Sequence, residues 1–463
     1  MIRFNRSGAS TLSKTALALA ASAIVAACGG HGSATNSVLP QTTGHTSNAV
    51  PNTVTNIYGG GSTLASLLYR QWMDYYGVAM PPDPQGAPNG LPVNPKFLYY
   101  YAGIGSGGGR AAFLTQTSST ITPTEPPVYC PNDVNTCYPY PLWHYSGSDA
   151  TLSSAEISCY QVGCPPNVPN PAQPARGQYV QIPTLITDIT IFYNPSGQTI
   201  SHTKGLRLSR NTYCGIWEGA ITNWGDPSIT SDNGGVQVST QPIQRVVRAD
   251  SSGTTFLITN HLNTVCQNLS NPAFDWTGGV GGTVTWPGGT VLSGTGSGGV
   301  VSVVGSTPGG IGYVGPSFVA PIAPGGLPTA NLQNENAFGQ NKLAFRAPNV
   351  VNTLNAFKGV QVPSNADPFD LAILVPDPLD KNAYPIVGFT WLEAYQCYNT
   401  HNEALAMKDL ILWYAQTGTT GTTPPDVILE EQGLAPLNSA FKKAVRKIAG
   451  DIVKGPITNV CTI

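Results

Sequence analysis

Charge is what this 463-residue chain has least of: Asp, Glu, Lys and Arg together make up 10% of it. That excludes a chain held unfolded by its own charge. Neither sign is in surplus. The 22 basic residues face 24 acidic ones, for a net charge of −2, so there is no basic surplus to hold a nucleic-acid backbone or an anionic lipid surface. Signatures of hydrolytic catalysis are missing too. There is no G-x-S-x-G, no H-E-x-x-H and no grouped His/Asp ligand spacing. No cysteine pair stands at C-x₂-C spacing, and His144, His202, His261 and His401 are scattered, so neither a zinc site nor another metal or cofactor is expected. Internal repeats are absent, which argues against an adhesin-like surface protein.

What is abundant is glycine, at 52 residues, and proline, at 40; both predict many turns and long loops. The length allows a large core in more than one domain. At the N-terminus Arg3, Arg6 and Lys14 precede an uncharged stretch over 15–27 that is too short to span a bilayer well. It ends in Val25-Ala26-Ala27-Cys28, which looks like a bacterial lipobox with Cys28 as the lipid-bearing residue. Residues 1–28 are therefore expected to be a lipoprotein signal peptide. The Ser/Thr/Asn/Gly/Pro-rich residues 29–53 are expected to be a flexible tether. Acyl chains on one Cys anchor firmly, at roughly 0.8 kcal/mol per buried CH₂. Removing Cys28 leaves eight cysteines, an even number suited to an oxidising compartment. Cys130 and Cys137 are close in sequence, as are Cys159 and Cys164. Cys214 with Cys266 and Cys397 with Cys461 remain as candidate pairs; spacing alone leaves the connectivity open.

Three stretches share one local plan: a strand, a glycine-bearing polar turn, then a helix. The central one is Arg248-Ala249-Asp250-Ser251-Ser252-Gly253-Thr254-Thr255, between a strand-like 243–247 and a helix-like 256–262. The first turn of a helix has unpaired N–H groups and partial positive charge, a ready cradle for an anion. Arg248 adds a fixed fork that Asp250 can hold in plane, and Ser252 and Thr254 add hydroxyls. The second copy runs from Ile57 through Gly59-Gly60-Gly61-Ser62-Thr63-Leu64 into a helix ending at Gly77. The third is 97–101, then Gly103-Ile104-Gly105-Ser106-Gly107-Gly108, then a helix. Its G-x-G-x-x-G spacing fits a dinucleotide loop, but no acidic residue stands at the ribose-binding distance. Each stretch has a plainer reading, a Ser- or Thr-capped helix start. Asp149, in Ser146-Gly147-Ser148-Asp149-Ala150, is either a helix N-cap or a buried acceptor. The stretch 180–194 predicts a long or bent strand and 383–391 a strand crossing back. Amphipathic helices are expected over 403–416 and 438–453, whereas the glycines up to 310 speak against a regular helix there.

Taken in order, these fragments, with 208–224, Val284 to Pro287, Ile311-Gly312-Tyr313-Val314 and Tyr384-Pro385-Ile386, resemble the phosphate-binding proteins of bacterial phosphate ABC importers, the PstS type. The resemblance covers most of the chain after the tether. It implies an α/β two-lobe, type II periplasmic-binding-protein-like fold, with the ligand between lobes joined by two crossing strands. The lobes would be 54–187 with 378–463, and 188–377. It also implies phosphate ligands at Thr63, Leu64 (through its N–H), Ser106, Asp149, Arg248, Ser252, Gly253 and Thr254, with Asp250 orienting Arg248. The chain would be a monomeric, non-enzymatic, lipid-anchored envelope protein, with phosphate ABC permease subunits as its partners. Two departures stand out: Leu64-Ala65-Ser66 follows Thr63 where the family has an aromatic and Pro-rich continuation, and the cysteine-bearing loops are extra. An outer-membrane or surface scavenger without a permease, and a phosphatase, are the alternatives.

Overall fold

A computed structural model of the protein describes residues 54–78, 92–117, 122–124, 138–163, 176–197, 205–335, 344–365, 367–419 and 421–454. The leader and the tether lie outside them, and so do Cys28, Cys130, Cys137, Cys164 and Cys461. The described chain opens with β1 (Thr55–Gly61), α1 (Ser66–Tyr76), β2 (Phe97–Gly103), α2 (Ser106–Thr115), β3 (Tyr145–Ser148) and α3 (Ser154–Val162). β4 (Tyr179–Asp188) and β5 (Thr190–Tyr193) follow, parted by Ile189 alone. Then come β6 (Arg207–Leu208), α4 (Arg210–Glu218), α5 (Pro227–Asp232), β7 (Gln244–Arg248), α6 (Gly253–Val265), β8 (Leu292–Gly294), α7 (Gly296–Ser306), β9 (Gly310–Val314), β10 (Asn331–Gln333), β11 (Phe345–Arg346) and α8 (Val350–Ala356). The chain returns through β12 (Val387–Tyr395) and closes with β13 (Cys397–Tyr398), α9 (His401–Tyr414), α10 (Pro424–Glu431), α11 (Ser439–Gly450) and β14 (Val453–Lys454).

Two sheets centre two α/β lobes. The first has the order β2-β1-β3-β12-β4 and the second β5-β9-β7-β8. β1 runs parallel to β2 and β3, and β7 parallel to β8 and β9, as strand-helix-strand connections require. β2, β4 and β12 are buried along their whole length, which fits their largely apolar, aromatic and β-branched sequences: both faces are covered. The expected bent strand is β4 plus β5, and the returning strand is β12, antiparallel to β4 from Val387↔Asp188 to Tyr395↔Tyr179. Where β4 passes into β5 and the chain enters β12, Ile189 N–H donates to Ile386 O at 2.8 Å, so the two passages between lobes are tied to each other. Gly77 ends α1 by close approach: a Cβ there would stand 2.7 Å from Phe97 O.

Local signals account for most helix ends. Ser153 and Glu156 form a capping box at α3, and Thr400 and Glu403 form another at α9. α11 buries Phe441, Val445, Ile448 and Ala449 at helical spacing. The exception is α7. Gly296, Gly298 and Gly299 make it a poor helix by propensity, yet Val300 and Val304 are buried in a cluster with Phe192, Val246 and Val314 of the second sheet. Packing outweighs the glycines, so the expectation of no helix in this stretch is corrected.

Of the four candidate cysteine pairs, one lies wholly within the described residues. Cys214 and Cys266 form a disulfide joining α4 to the end of α6. Closing a loop of 52 residues restricts the unfolded chain by about 4 kcal/mol in the chain-entropy account. Cys159 and Cys397 are also disulfide-bonded. Their candidate partners, Cys164 and Cys461, fall outside the described residues, as do both members of the pair formed by Cys130 and Cys137.

One side chain in the first sheet runs against the rest. Glu393 faces Ser146 across β12 and β3, fully buried, and neither carboxylate oxygen has a well-formed hydrogen bond among the described residues. Burial pushes its carboxyl up to about 8, against the pull of Arg110 and Ser146, with Glu156 and Asp149 adding to the rise. The fold therefore keeps a proton that the unfolded chain releases near 4.5. That contribution to stability is whole below the unfolded value and is lost as pH climbs towards 8. Replacing Glu393 by Gln is expected to remove a decline on the order of a few kcal/mol between pH 5 and pH 8. Urea unfolding of both proteins at those two pH values measures it, and equal pH dependence in the two would contradict it.

Candidate functional site

Ligands in open α/β sheets sit beyond the carboxyl ends of the strands, where the turns and helix N-termini point. Here those ends belong to β1, β2 and β3 in one lobe and β7, β8 and β9 in the other. Gly61 is in register with Gly103 and with Gly147, and Arg248 with Gly294, so the turns of each lobe emerge at one level. The two levels meet. Gly107 N–H donates to Ser251 O at 3.1 Å, and a Cβ on Gly253 would stand 2.5 Å from Ser106 Oγ and 2.7 Å from Asp149 N.

Asp149 lies where these turns converge, 1% exposed. Ser62 Oγ donates to its Oδ1 at 2.7 Å and Thr390 Oγ1 to the same oxygen at 2.8 Å. Thr254 Oγ1, from the other lobe, donates to Oδ2 at the longer 3.3 Å. The Asp149 backbone N–H donates to Ser106 Oγ at 3.2 Å. Burial raises its pKa above the ordinary carboxylate value, while Ser62, Thr390, Arg248 and Thr254 pull it back. The N-cap alternative for Asp149 falls away, since Ser153 caps α3. Oδ1 is filled by two hydroxyls, so Oδ2 keeps the acceptor capacity.

The β7–α6 turn carries the cation. Arg248 Nε donates to Asp250 Oδ1 at 2.8 Å and Nη2 to Oδ2, the fork-to-fork pair that the turn predicts. Although burial would raise the Asp250 carboxyl, Arg248 and the Gly296 N–H hold it below its ordinary range. Tyr313 braces the turn from β9: its hydroxyl accepts from Arg248 N at 3.2 Å and contacts Thr255 Oγ1 at 2.7 Å. That explains why Ile311-Gly312-Tyr313-Val314 belongs to the pattern. Ser252 is the N-cap of α6, its Oγ accepting from Thr255 N at 3.2 Å, which leaves its own proton to give. Gly253 and Thr254 begin the helix, and their N–H groups have no acceptor within it.

Thr63 and Leu64 come from the β1–α1 turn and reach the opposite lobe. Leu64 is fully buried against Gly315, where a Cβ would meet Leu64 Cγ at 2.6 Å. Thr63 Oγ1 contacts Ser297 Oγ at 2.9 Å and accepts from Ser297 N at 3.1 Å. All nine residues expected at the site thus line the same meeting of turns. Four others were not foreseen: Ser62, Thr390, Gly296 and Ser297. A signal for the last two existed. Gly294-Thr295-Gly296-Ser297-Gly298-Gly299 repeats the G-x-G-S-G-G pattern of Gly103 to Gly108, each time from a strand into a helix. Both middle glycines have positive φ, 80° at Gly105 and 69° at Gly296, so the turn needs glycine there. Ser62 and Thr390 carried no signal, because nothing local marks a serine 87 residues or a threonine 241 residues away as a partner of Asp149.

Two lobes on crossing strands, with polar turns from both closing over one carboxylate and one guanidinium, define a solute-binding protein of the type II class. The chain belongs to the PBP superfamily, whose domain profile matches residues 46–416. It is 30% identical over 396 residues to alkaline phosphatase L of Pseudomonas aeruginosa, covering 84% of this chain and 87% of that one. It is 27% identical over 430 residues to a phosphate-binding protein of an unknown prokaryotic organism, covering 88% and 98%. A crystal structure of a phosphate binding protein from Stenotrophomonas maltophilia is similar with a TM-score of 0.61 at 25% identity, over 85% of this chain and 94% of that one.

The approach at Gly253 yields a prediction. Gly253→Ala places a methyl against Ser106 and the Asp149 backbone, which overpacking of this kind penalises by about 1–3 kcal/mol. Lobe closure is expected to suffer while each lobe keeps its own fold. Small-angle scattering should show a larger radius of gyration with unchanged circular dichroism; a radius equal to that of the unaltered chain would refute it.

Proposed function

We propose that this protein binds inorganic phosphate between its lobes and serves as the solute-binding lipoprotein of a phosphate importer. The carrying observation is Asp149: a buried carboxylate with one oxygen satisfied by two hydroxyls and the other turned towards the second lobe. A carboxylate only accepts hydrogen bonds. An oxyanion that keeps a proton, as phosphate does at neutral pH, can give it to Oδ2, whereas sulfate has none to give. The donors would be Thr63, the Leu64 N–H, Ser106, Arg248 held by Asp250, Ser252, and the Gly253 and Thr254 N–H groups. A pocket of neutral donors with one paired arginine suits a small dianion. The names of the relatives favour the same ligand.

We take lobe 1 as 54–187 with 378–463 and lobe 2 as 188–377, hinged where β4 passes into β5 and where β12 begins. A ligand touching both lobes favours the closed form. The reading includes a monomer held to the bacterial envelope by lipid on Cys28, facing the periplasm or the surface, with permease subunits as partners. Among the described residues no helix is long and apolar enough to cross a membrane.

Three relatives bear the name alkaline phosphatase L, so turnover is the competing reading. The environment of Ser252 argues for binding instead. Its hydroxyl oxygen accepts from a backbone N–H, and the buried histidines are engaged elsewhere, His261 with Tyr213 and Pro376 and His144 with Tyr58 and Glu403. Among the described residues these contacts leave Ser252 no histidine to activate it.

Calorimetric titration with phosphate, sulfate and arsenate tests the proposal. Phosphate and arsenate are expected to bind and sulfate to be rejected at neutral pH. Asp149→Asn is expected to lose on the order of 1–3 kcal/mol of that discrimination. Because the Asp149 carboxyl is raised, acidification protonates it earlier than an ordinary aspartate, and sulfate binding is expected to rise as pH falls. Equal affinity for sulfate and phosphate in the unaltered chain, or steady hydrolysis of a chromogenic phosphate ester that Ser252→Ala abolishes, would overturn it.

A further inference from the structure

α7 is an 11-residue helix whose N-cap, Thr295, makes no side-chain capping bond. Its first N–H groups are served by two residues of the proposed phosphate site instead. Gly296 N–H donates to Asp250 Oδ1 at 3.0 Å, and Asp250 in turn holds Arg248. Ser297 N–H donates to Thr63 Oγ1 at 3.1 Å. The hydroxyls of Ser297 and Thr63 lie 2.9 Å apart, each residue 1% exposed. The pair is 234 residues apart in sequence and joins the β1–α1 turn of one lobe to α7 of the other.

A hydroxyl has one proton and two lone pairs. The Ser297 N–H occupies one lone pair of Thr63 Oγ1. When an anion accepts a hydrogen bond from the Thr63 hydroxyl, the Ser297 hydroxyl can donate to the second lone pair of Thr63 Oγ1. Thr63 then has nothing left to accept and one proton to give, aimed at the anion. We infer that Ser297 is a positioning residue of the phosphate site, which makes Thr63 an obligatory donor and does so only when the lobes are together. The inference rests on the reading of Thr63 as a phosphate ligand. It makes donation by Thr63 and closure of the cleft one event: an opened cleft separates Ser297 from Thr63, and the hydroxyl is free to turn. The same helix start fixes Asp250, so a single turn beyond β8 sets a donor in each lobe.

The test is a double-mutant cycle on the full chain, with inorganic phosphate as the probe and both Kd and dissociation rate measured. Phosphate binding by the unaltered chain comes first; its absence would end the phosphate reading itself, separately from this inference. Given binding, Ser297→Ala is expected to weaken affinity roughly five- to tenfold, the loss of about one buried hydrogen bond, chiefly through faster dissociation. Ser297→Thr, which keeps the hydroxyl, should restore affinity to within about twofold. In a Thr63→Val background the Ser297→Ala change should have no further effect, because the hydroxyl it orients is gone. If Ser297→Ala does not fold, the contrast between Ser297→Cys and Ser297→Thr reads the same difference, since a thiol is a weak donor. Unchanged affinity in Ser297→Ala, failure of Ser297→Thr to restore it, or an equal loss with and without Thr63 would each overturn the assignment.

Discussion

A carboxylate removed from water must be given donors, and most of this architecture is arranged around giving them to Asp149. Its partners are a serine from the first turn of the first lobe, a threonine from the returning strand β12, and a threonine from the first turn of α6 in the second lobe. Each belongs to a different passage of the chain. Satisfying one buried charge therefore requires the parallel strands, the crossing strand and the opposite lobe to be in place together. In the proposed function the same carboxylate, with one oxygen filled by two hydroxyls and one turned across the cleft, is what would favour a ligand that can donate.

Around that point the geometry follows from parallel strands. Their turns all emerge on the same side, and helices begin there, so N–H groups and partial positive charge gather without a concentration of charged side chains. This reconciles the low charge content with the proposed handling of a dianion. Arg248 does not act as a bare cation either; Asp250 and the start of α7 hold its plane. Glycines at 105, 253 and 296 allow the turns to approach within distances that any side chain would block, or to adopt positive φ.

The strand-turn-helix units were legible because they are local. A run of apolar residues, a glycine and a hydroxyl, and a helical stripe fall within about a dozen residues, and backbone preference alone makes them what they are. The crossing strands were legible for the same reason: they are buried on both faces and read as largely apolar runs. α7 was hidden because four glycines obscure a helix that exists through packing of Val300 and Val304 on the second sheet. Glu393 was equally hidden, since burial of a lone acid on a strand is decided by the neighbours that cover it. Thr63 was expected at the site, but its bond to Ser297 was not.

What the sequence determined by itself is the inventory: which turns can cradle an anion, which helices are capped, which strands are buried, and the likeness to binding proteins of this class. These depend on residues near one another along the chain. The tertiary structure alone decided which hydroxyl serves which acceptor, that Ser62 and Thr390 rather than a helix end claim Asp149, and that two glycine turns about 190 positions apart both close on Asp250. Such pairings depend on where two sheets meet. That is set by the summed burial of both lobes and leaves no trace in any short stretch.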